Sequence, residues 1–242
     1  MTAQQGQMAQ ALAVYDLDRT LTRRGSWLPW LAFWVRREAP WRILLSPLLV
    51  LAALAHGLGL IDRGALKSWA HRLMIGRWVD GDRLAAAAIA FAGGFAAHDV
   101  FGGARTAIAA DCAAGKRILI ASASHAYYVR AIAAELGVTD VVATEAVRAH
   151  GRVGHRLVGD NCYGPAKRAA VMAWMAAHGM AGARLDFTSD HVSDLPCFAL
   201  ALESGGNVRA ANASAALRAH ALAHGWEIAD WGAVENSLFE RA

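Results

Sequence analysis

Acidic, hydroxyl and amino side chains follow short apolar runs at three places in the sequence. Asp16 and Asp18 follow the first run, Ser122 follows the second and Asp190 follows the third, while Lys167 lies between the second and third. Short apolar runs of this kind are typical of buried parallel strands, whose carboxyl ends meet at one edge of a sheet. We therefore expect these five side chains to line one crevice.

The residue types in this set are suited to phosphate chemistry. Asp16 and Asp190 together offer hard oxygen ligands for a partly hydrated Mg²⁺, which is normally shared with a substrate phosphate. The Ser122 hydroxyl and the Lys167 ammonium can neutralise other phosphate oxygens. A carboxylate such as Asp16 can attack phosphorus to form an aspartyl-phosphate, and Asp18 can protonate the leaving oxygen and then activate water.

Neighbouring polar residues have a functional and a structural interpretation. Thr20 and Asp194 can support the site, and Ser124, His125 and Arg19 can contact the substrate. Alternatively, Thr20, Ser124 and Asp194 cap the helices that follow them, His125 is an ordinary loop residue and Arg19 points to solvent. The sequence leaves both interpretations open for each of these five residues.

The elements that must position these residues alternate between strands and helices. Strands are predicted at residues 11–15, 117–121, 141–143, 185–188 and 207–210, and a hairpin at 145–160 turns at Gly151. Helices are predicted at residues 105–114, 126–136, 166–178, 194–202 and 214–224. This alternation predicts an α/β fold with a doubly wound parallel sheet.

Residues 23–101 interrupt this pattern and differ in composition. They are rich in Leu, Ala and Trp without strand alternation, which predicts helices broken at Pro40, Pro47, Gly57/Gly59 and Gly93–Gly94. Residues 23–83 contain ten basic and four acidic side chains and six of the nine tryptophans. We therefore predict a core of residues 8–22 and 102–242 and a helical, hydrophobic, basic insertion of residues 23–101.

The longest apolar run in the insertion, residues 43–61, has no charged side chain. It is as long as a membrane span, but a span would place the two halves of the core on opposite sides of the membrane. A re-entrant or in-plane amphipathic hairpin at an anionic lipid surface and a buried core helix both remain open.

The ordered set of motifs resembles the haloacid dehalogenase (HAD) superfamily, in particular its phosphoserine-phosphatase-like subfamily IB. The resemblance covers residues 11–231 and rests on DLDRT (16–20), SAS (122–124), Lys167 and SDHVSDLP (189–196). It implies a HAD-like Rossmannoid core with an inserted cap. It also implies the following roles: Asp16 as nucleophile, Asp18 as acid/base, Mg²⁺ held by Asp16, the Asp18 carbonyl and Asp190, and phosphate held by Ser122, Ala123 and Lys167.

The insertion resembles the hydrophobic cap of phosphatidylglycerophosphatase C-type enzymes. That resemblance implies a phospholipid head-group phosphate, such as that of phosphatidylglycerol phosphate, as the substrate. The alternative is the same chemistry on a soluble ester such as phosphoserine or histidinol phosphate. A phospho-accepting signalling domain and an inactive membrane-binding scaffold are the competing classes of function.

Composition limits the other possibilities. Apolar residues make up 56% of the 242 residues, which excludes a disordered chain, and a net charge of +4 is too small to indicate nucleic acid. The first ten residues carry no basic side chain, so no signal peptide is predicted. We expect a cytoplasmic enzyme, with peripheral or in-plane contact to the cytoplasmic membrane face.

Overall fold

The computed structural model of the protein describes residues 11–232. Within that range the strands, in chain order, are β1 (Ala11–Tyr15), β2 (Trp78–Asp80), β3 (Arg117–His125), β4 (Asp140–Ala149), β5 (Arg152–Val158), β6 (Arg184–Ser189), β7 (Val208–Ala211) and β8 (Glu227–Ala229). The α-helices are α1 (Trp27–Glu38), α2 (Ser46–Gly57), α3 (Arg63–Ala70), α4 (Gly81–Asp99), α5 (Gly102–Ala113), α6 (Ala126–Glu135), α7 (Pro165–Ala177), α8 (Leu195–Glu203) and α9 (Ala215–His224). Residues 8–10 and 233–242 of the predicted core lie outside the described residues.

The first of two compact units contains residues 11–23, 100–121 and 163–232. Its strands are all parallel and run in the order β3-β1-β6-β7-β8, with residues 117–121 of β3 in this unit. The chain adds β3 on one side of β1 and β6 on the other, and parallel crossovers are right-handed, so helices cover both faces of the sheet. The predicted α/β fold with a doubly wound parallel sheet is confirmed.

Apolar side chains explain why these strands form the centre of the unit. Leu12, Val14, Leu119, Leu185 and Phe187 are at most 1% exposed. Strands covered on both faces bury nearly every side chain, which is why β1 and β3 appear in the sequence as continuous apolar runs. The central position of β1 places its carboxyl end where the strand order reverses.

The second unit contains residues 24–99 and 122–162. Strands β2, β5 and β4 form an antiparallel set in that order. The core is aromatic: the Trp30 ring lies 5.9 Å from that of Trp34, 5.5 Å from Phe91 and 5.3 Å from Tyr128. The unit therefore combines most of the predicted insertion with residues 122–162, which the sequence assigned to the core. That residues 23–101 form a separate insertion stays a prediction.

Several local predictions are wrong. Gly93 and Gly94 do not end a helix, because α4 continues through them; Phe91 and Phe95 beside them are buried, and this packing outweighs a glycine penalty of about 1 kcal/mol each. Strand β2 forms inside the region predicted to be entirely helical. Its three residues pair with β5, which is distant in sequence, so no local pattern marks it.

Strand β3 is longer than predicted. It runs to His125, so Ser122, Ala123 and Ser124 lie within a strand and not in a loop after it. The predicted hairpin is confirmed: β4 and β5 are antiparallel, and His150 and Gly151 between them have φ values of 48° and 72°. Two successive positive φ values are typical of the tight hairpin turn that follows the twist of the strands.

The apolar run of the insertion forms a short 3₁₀ segment, Pro40–Leu45, followed by α2. Among the described residues, Pro40–Gly57 is one helical segment long and apolar enough to cross a membrane. None of its residues is buried. The segment is therefore an exposed apolar surface of the second unit.

Candidate active site

The chain turns sharply at the carboxyl end of β1. The Asp16 amide donates to the Thr188 carbonyl at 2.9 Å, which continues the pairing of β1 with β6. Arg19 then adopts φ 66°, a left-handed conformation that is rare for a residue with a side chain. Its amide donates to Thr22 Oγ1 at 3.1 Å, and the Thr22 hydroxyl donates to the Leu17 carbonyl at 3.1 Å. The turn brings Thr20 back beside the end of the strand.

Thr20 lies between the two predicted metal ligands. Its Oγ1 is 3.0 Å from Asp16 Oδ2 and 3.1 Å from Asp190 Oδ1, and all three residues are buried. A hydroxyl has one proton and can donate to only one of these oxygens. The single proton of Thr20 is therefore shared between, or alternates between, the two carboxyl groups.

Lys167 lies at the beginning of α7 and bridges the carboxylates of Asp16 and Asp194. Its Nζ donates to Asp16 Oδ1 and to Asp194 Oδ2, each at 2.7 Å, and the side chain is 2% exposed. The Ser189 hydroxyl also donates to Asp194 Oδ2 at 2.7 Å. Asp194 Oδ1 has no hydrogen-bond partner among residues 11–232. Asp16, Thr20, Lys167, Asp190 and Asp194 thus form one buried network, which brings together three of the five side chains expected in one crevice (Asp16, Lys167 and Asp190).

The electrostatics of this network follow from burial. Burial, together with the charges of Asp194 and Asp190, raises the pKa of Asp16 to about 8, although the Lys167 ammonium opposes the shift. Burial raises the pKa of Asp190 to about 6. Burial alone would lower the pKa of Lys167, but the carboxylates of Asp16 and Asp194 outweigh it and raise that pKa. The ammonium stays charged, and Asp16 and Asp190 are the members whose raised pKa values favour the protonated form.

The donor set fits a divalent cation. Three carboxylates and one ammonium leave two uncompensated negative charges when the acids are ionised, and Asp194 has an unpartnered oxygen. Hard carboxylate oxygens suit Mg²⁺, which keeps several waters and needs few protein ligands. No group of three His, Cys, Asp or Glu side chains within the described ranges forms a complete metal cage. The predicted ligand set does not require such a cage, because it consists of two carboxylates and a backbone carbonyl.

Two supporting residues were not predicted. Asn212 Nδ2 donates to the Thr20 carbonyl at 2.9 Å and so holds the turn after β1. Ser189 contacts Asp194 as described above. Both residues lie at or just beyond the carboxyl ends of their strands, β7 and β6, so the rule that found Asp190 could have found them.

The serine-rich end of β3 belongs to the second unit. Ser122, Ser124 and His125 are buried, and Ser122 Oγ accepts from the Ser124 amide at 3.1 Å. The Ala123 carbonyl accepts from Lys67 Nζ and, at 2.7 Å, from the Thr144 hydroxyl. Lys67 was not predicted, since nothing in its local sequence separates a buried lysine from a solvated one. Phosphate binding by Ser122 and Ala123 and substrate contact by Ser124 and His125 stay predictions.

The remaining predicted residues lie in the turn itself. Asp18 is half-buried and Arg19 is exposed. The Asp18 backbone has ψ 120°, so the chain is still extended at this position and turns at the next residue. The acid/base role of Asp18 and the substrate contact of Arg19 stay predictions.

Comparison with known proteins relates this chain to one family of hydrolases. Residues 13–199 match the family model described as haloacid dehalogenase-like hydrolase. The "Inhibition of morphological differentiation protein" of Streptomyces azureus is 37% identical over 118 residues, which is 49% of this chain and 41% of that protein. The phosphoserine phosphatase SerB1 of Mycobacterium tuberculosis is 32% identical over 118 residues, 49% of this chain and 37% of that one.

A solved structure resembles this chain over a longer stretch. It is a protein from Bordetella pertussis Tohama I, described as having unknown function, with 25% sequence identity and a TM-score of 0.79. The match covers 93% of this chain and 100% of that one. By contrast, the chain spans less than half the length of the two curated relatives.

Proposed function

The chain belongs to the haloacid dehalogenase-like hydrolase family, and from that premise we propose that it is a Mg²⁺-dependent phosphomonoesterase working through an aspartyl-phosphate. The observation that carries this proposal is the buried network in which Lys167 bridges Asp16 and Asp194 while Thr20 joins Asp16 to Asp190. A lysine, three carboxylates and a hydroxyl at the edge of a parallel sheet are suited to binding and transferring a phosphoryl group.

In the proposed mechanism, Asp16 and Asp18 divide the chemistry. A carboxylate oxygen of Asp16 attacks phosphorus, the ester P–O bond breaks, and Asp18 gives its proton to the leaving oxygen. Asp18, now a carboxylate, takes a proton from water, whose oxygen attacks phosphorus and breaks the bond to Asp16. The products are the alcohol and inorganic phosphate, and both aspartates return to their first states.

The other residues hold the reacting groups in place. Lys167 keeps Asp16 oriented and places positive charge beside the phosphoryl oxygens, and Ser122 and the backbone of Ala123 provide further contacts to phosphate. Asp16, Asp190 and the Asp18 carbonyl would hold Mg²⁺. When bound, the ion supplies positive charge that lowers the pKa of these carboxyl groups and polarises the phosphate.

We propose a phospholipid head-group phosphate, such as that of phosphatidylglycerol phosphate, as the substrate. The exposed apolar segment Pro40–Gly57 supports this proposal, because a monomeric soluble enzyme rarely leaves so long an apolar helix uncovered. The excess of basic residues between positions 23 and 83 also suits an anionic surface. The enzyme would then act at the cytoplasmic membrane face, with residues 23–101 as its cap and no nucleic acid as a partner.

A soluble ester is the second candidate substrate. It is favoured by the relative from Mycobacterium tuberculosis that is named a phosphoserine phosphatase. Phosphoserine and histidinol phosphate are the esters to compare, since both have small polar leaving groups.

The test is a hydrolysis assay with Mg²⁺ on an aryl phosphate, phosphoserine, histidinol phosphate and vesicles containing phosphatidylglycerol phosphate. We expect turnover of the aryl phosphate and highest kcat/KM on the vesicles. Asp16→Asn removes the nucleophile and should abolish turnover, and Asp18→Asn should lower kcat by roughly 10²–10⁴-fold because it removes general acid–base catalysis.

Asp160→Asn is the matched control, since this exposed carboxylate lies outside the network and its loss should leave kcat unchanged. Full activity of Asp16→Asn or Asp18→Asn would contradict the assigned roles. A clear preference for phosphoserine or histidinol phosphate over the vesicles would contradict the phospholipid substrate and leave the mechanism intact.

A further inference from the structure

A second polar site lies within the second unit and contains none of the carboxylates described above. It is a cavity of about 600 Å³ between the C-terminal end of α1, the 3₁₀ segment that follows it, and the strands β2 and β5. Its lining includes three tryptophans and three arginines: Trp34, Trp41, Trp78, Arg42, Arg83 and Arg152. This combination is suited to an anionic group that is also stacked against aromatic rings.

Two of the arginines have no acidic partner. Arg42 donates to the carbonyls of Arg72 (3.3 Å) and Leu73 (2.7 Å), and Arg152 donates to the Trp78 carbonyl at 3.2 Å. Neither forms an ion pair with a carboxylate in the part of the chain that the structure describes. Burial lowers the pKa of the Arg42 guanidinium, so an anion beside it would be stabilising.

The acidic residues of the cavity do not cancel this charge. Glu38 pairs with Arg83 at 2.6 Å, and Asp80 accepts from the Arg83 amide at 2.9 Å. Three guanidinium groups thus face two carboxylates. The lining therefore has one net positive charge.

A tryptophan with a buried indole also lines the cavity. Trp34 lines the cavity and is 2% exposed, and its indole Nε1 has no acceptor among residues 11–232. Because that N–H group is itself buried, Trp34 presents its aromatic ring and not a hydrogen-bond donor to the cavity. Guanidinium groups without a carboxylate partner, beside aromatic rings, suit an oxygen-rich anion.

The cavity is continuous with the exposed apolar segment. Trp41 and Arg42 line the cavity and also begin Pro40–Gly57. In that segment Leu44 is 78% exposed, and Leu51 and Leu54 are 60% and 58% exposed. A cationic pocket at one end of an exposed apolar helix matches a ligand with an anionic head and hydrocarbon tails.

We infer that this cavity binds the head group of an anionic membrane lipid while segment Pro40–Gly57 lies in the bilayer interface. The site is an anchor, separate from the carboxylate network, and it deepens the membrane contact that the proposed function includes. Charge complementarity favours this occupant over a second copy of the chain, which has the same unpaired arginines at this face. Arg42 also lies 4.6 Å from the Trp41 ring, and Arg72 lies 5.4 Å from the ring of the exposed Trp69. Tryptophan and arginine side by side are typical of residues at the lipid head-group level.

The experiment is flotation of the full chain with vesicles of phosphatidylcholine alone or with a third of phosphatidylglycerol. We expect binding to the anionic vesicles that weakens with salt. Arg42→Gln with Arg152→Gln should weaken it about 25-fold, from about fivefold for each basic residue near an anionic surface. Leu51→Ser with Leu54→Ser should weaken binding to both kinds of vesicle, because it removes apolar contact.

Arg148→Gln is the matched control for the single variants Arg42→Gln and Arg152→Gln, since it removes one exposed positive charge of the same unit outside the cavity. The inference is overturned if the chain binds neither vesicle, if the double arginine variant binds like the wild type, or if Arg148→Gln weakens binding as much as either single cavity variant. Displacement from vesicles by inorganic phosphate alone would identify a soluble anion as the occupant, and a dimer in light scattering without vesicle binding would identify a second copy.

The same variants separate this inference from the proposed hydrolysis. Arg42 and Arg152 are not part of the Asp16 network, so the aryl phosphatase activity of the double variant should equal that of the wild type. Loss of vesicle binding with full aryl phosphatase activity supports the anchor. Vesicle binding by a chain with no phosphatase activity would leave the anchor in place and contradict the proposed function.

Discussion

At the scale of single residues, the candidate site depends on Lys167. Its buried ammonium is held by Asp16 and Asp194 at 2.7 Å each, so the free-energy cost of removing the charge from water is offset by two ion pairs. The same contacts fix the position of Asp16, the proposed nucleophile. Lys167 thus both offsets part of the negative charge of the site and orients Asp16, and an apolar side chain at this position could do neither.

Arg19 adopts a backbone conformation that is unfavourable for its residue type. With φ 66°, it adopts the left-handed region in the turn after β1, where a side chain is disfavoured. We expect Arg19→Gly to be more stable than Arg19→Ala by about 1 kcal/mol, because glycine alone adopts this conformation without a steric penalty. Urea unfolding of both variants measures the difference.

The same two variants test whether Arg19 contacts the substrate. If it does, both should raise KM by a similar factor, since both remove the guanidinium. Equal stability of the glycine and alanine variants would contradict the left-handed conformation at this position. An unchanged KM in both would contradict the substrate contact.

At the scale of elements, the carboxyl ends of parallel strands were the most informative feature of the sequence. Asp16 and Asp190 follow neighbouring strands β1 and β6, and the structure brings them to the same hydroxyl of Thr20. Local sequence was enough here because strand and turn patterns are local. It was not enough for β2, whose three residues form a strand only by pairing with β5.

The extension of β3 shows the same limit. The residues Ser122–Ala123–Ser124 have the polar composition of a loop, yet they are buried or half-buried within a strand. The Ala123 carbonyl is satisfied by Lys67 and Thr144, which are 56 and 21 residues away in sequence. Tertiary contacts of this kind override local propensity and cannot be derived from spacing.

Two buried histidines at the ends of elements predict a pH dependence of stability. His71 follows α3 and His125 ends β3, and their rings lie 5.8 Å apart. Burial and the nearby His155 and Arg42 lower the pKa of His71 to about 3, and burial with His71 and Lys67 lowers that of His125. The unfolded chain takes up these protons near the ordinary pKa of about 6.5, whereas the folded chain does not. The contribution of the two histidines to the free energy of unfolding is therefore complete above that pH and decreases below it.

We expect the free energy of unfolding to fall by about 1.4 kcal/mol per pH unit below about pH 6.5 from His71, with a contribution of the same sign from His125. Urea unfolding across this range measures the slope. His71→Gln should flatten it by one proton, and His98→Gln, which changes an exposed histidine of the same unit, should not. An unchanged slope in His71→Gln would show that the ring is accessible to protons in the folded protein.

At the scale of the whole molecule, the sequence indicated two regions of different character, and the two units of the structure differ in the same way. The charged network is buried at the end of β1, while segment Pro40–Gly57 of the other unit has no buried residue. Composition was enough to find the apolar segment, because hydrophobicity is additive along the chain. It was not enough to find the cavity, since Arg42 and Arg152 are 110 positions apart and meet only after folding.

The central claim is that the phosphoryl group is transferred to Asp16, and a single-turnover trapping experiment tests it directly. The enzyme is mixed with an aryl phosphate and Mg²⁺, quenched in acid and treated with borohydride, which reduces an aspartyl-phosphate to homoserine. Peptide mapping by mass spectrometry then locates the modified residue. We predict homoserine at position 16 and at no other aspartate; its appearance at position 18, 190 or 194, or its absence during continued turnover, would contradict the account.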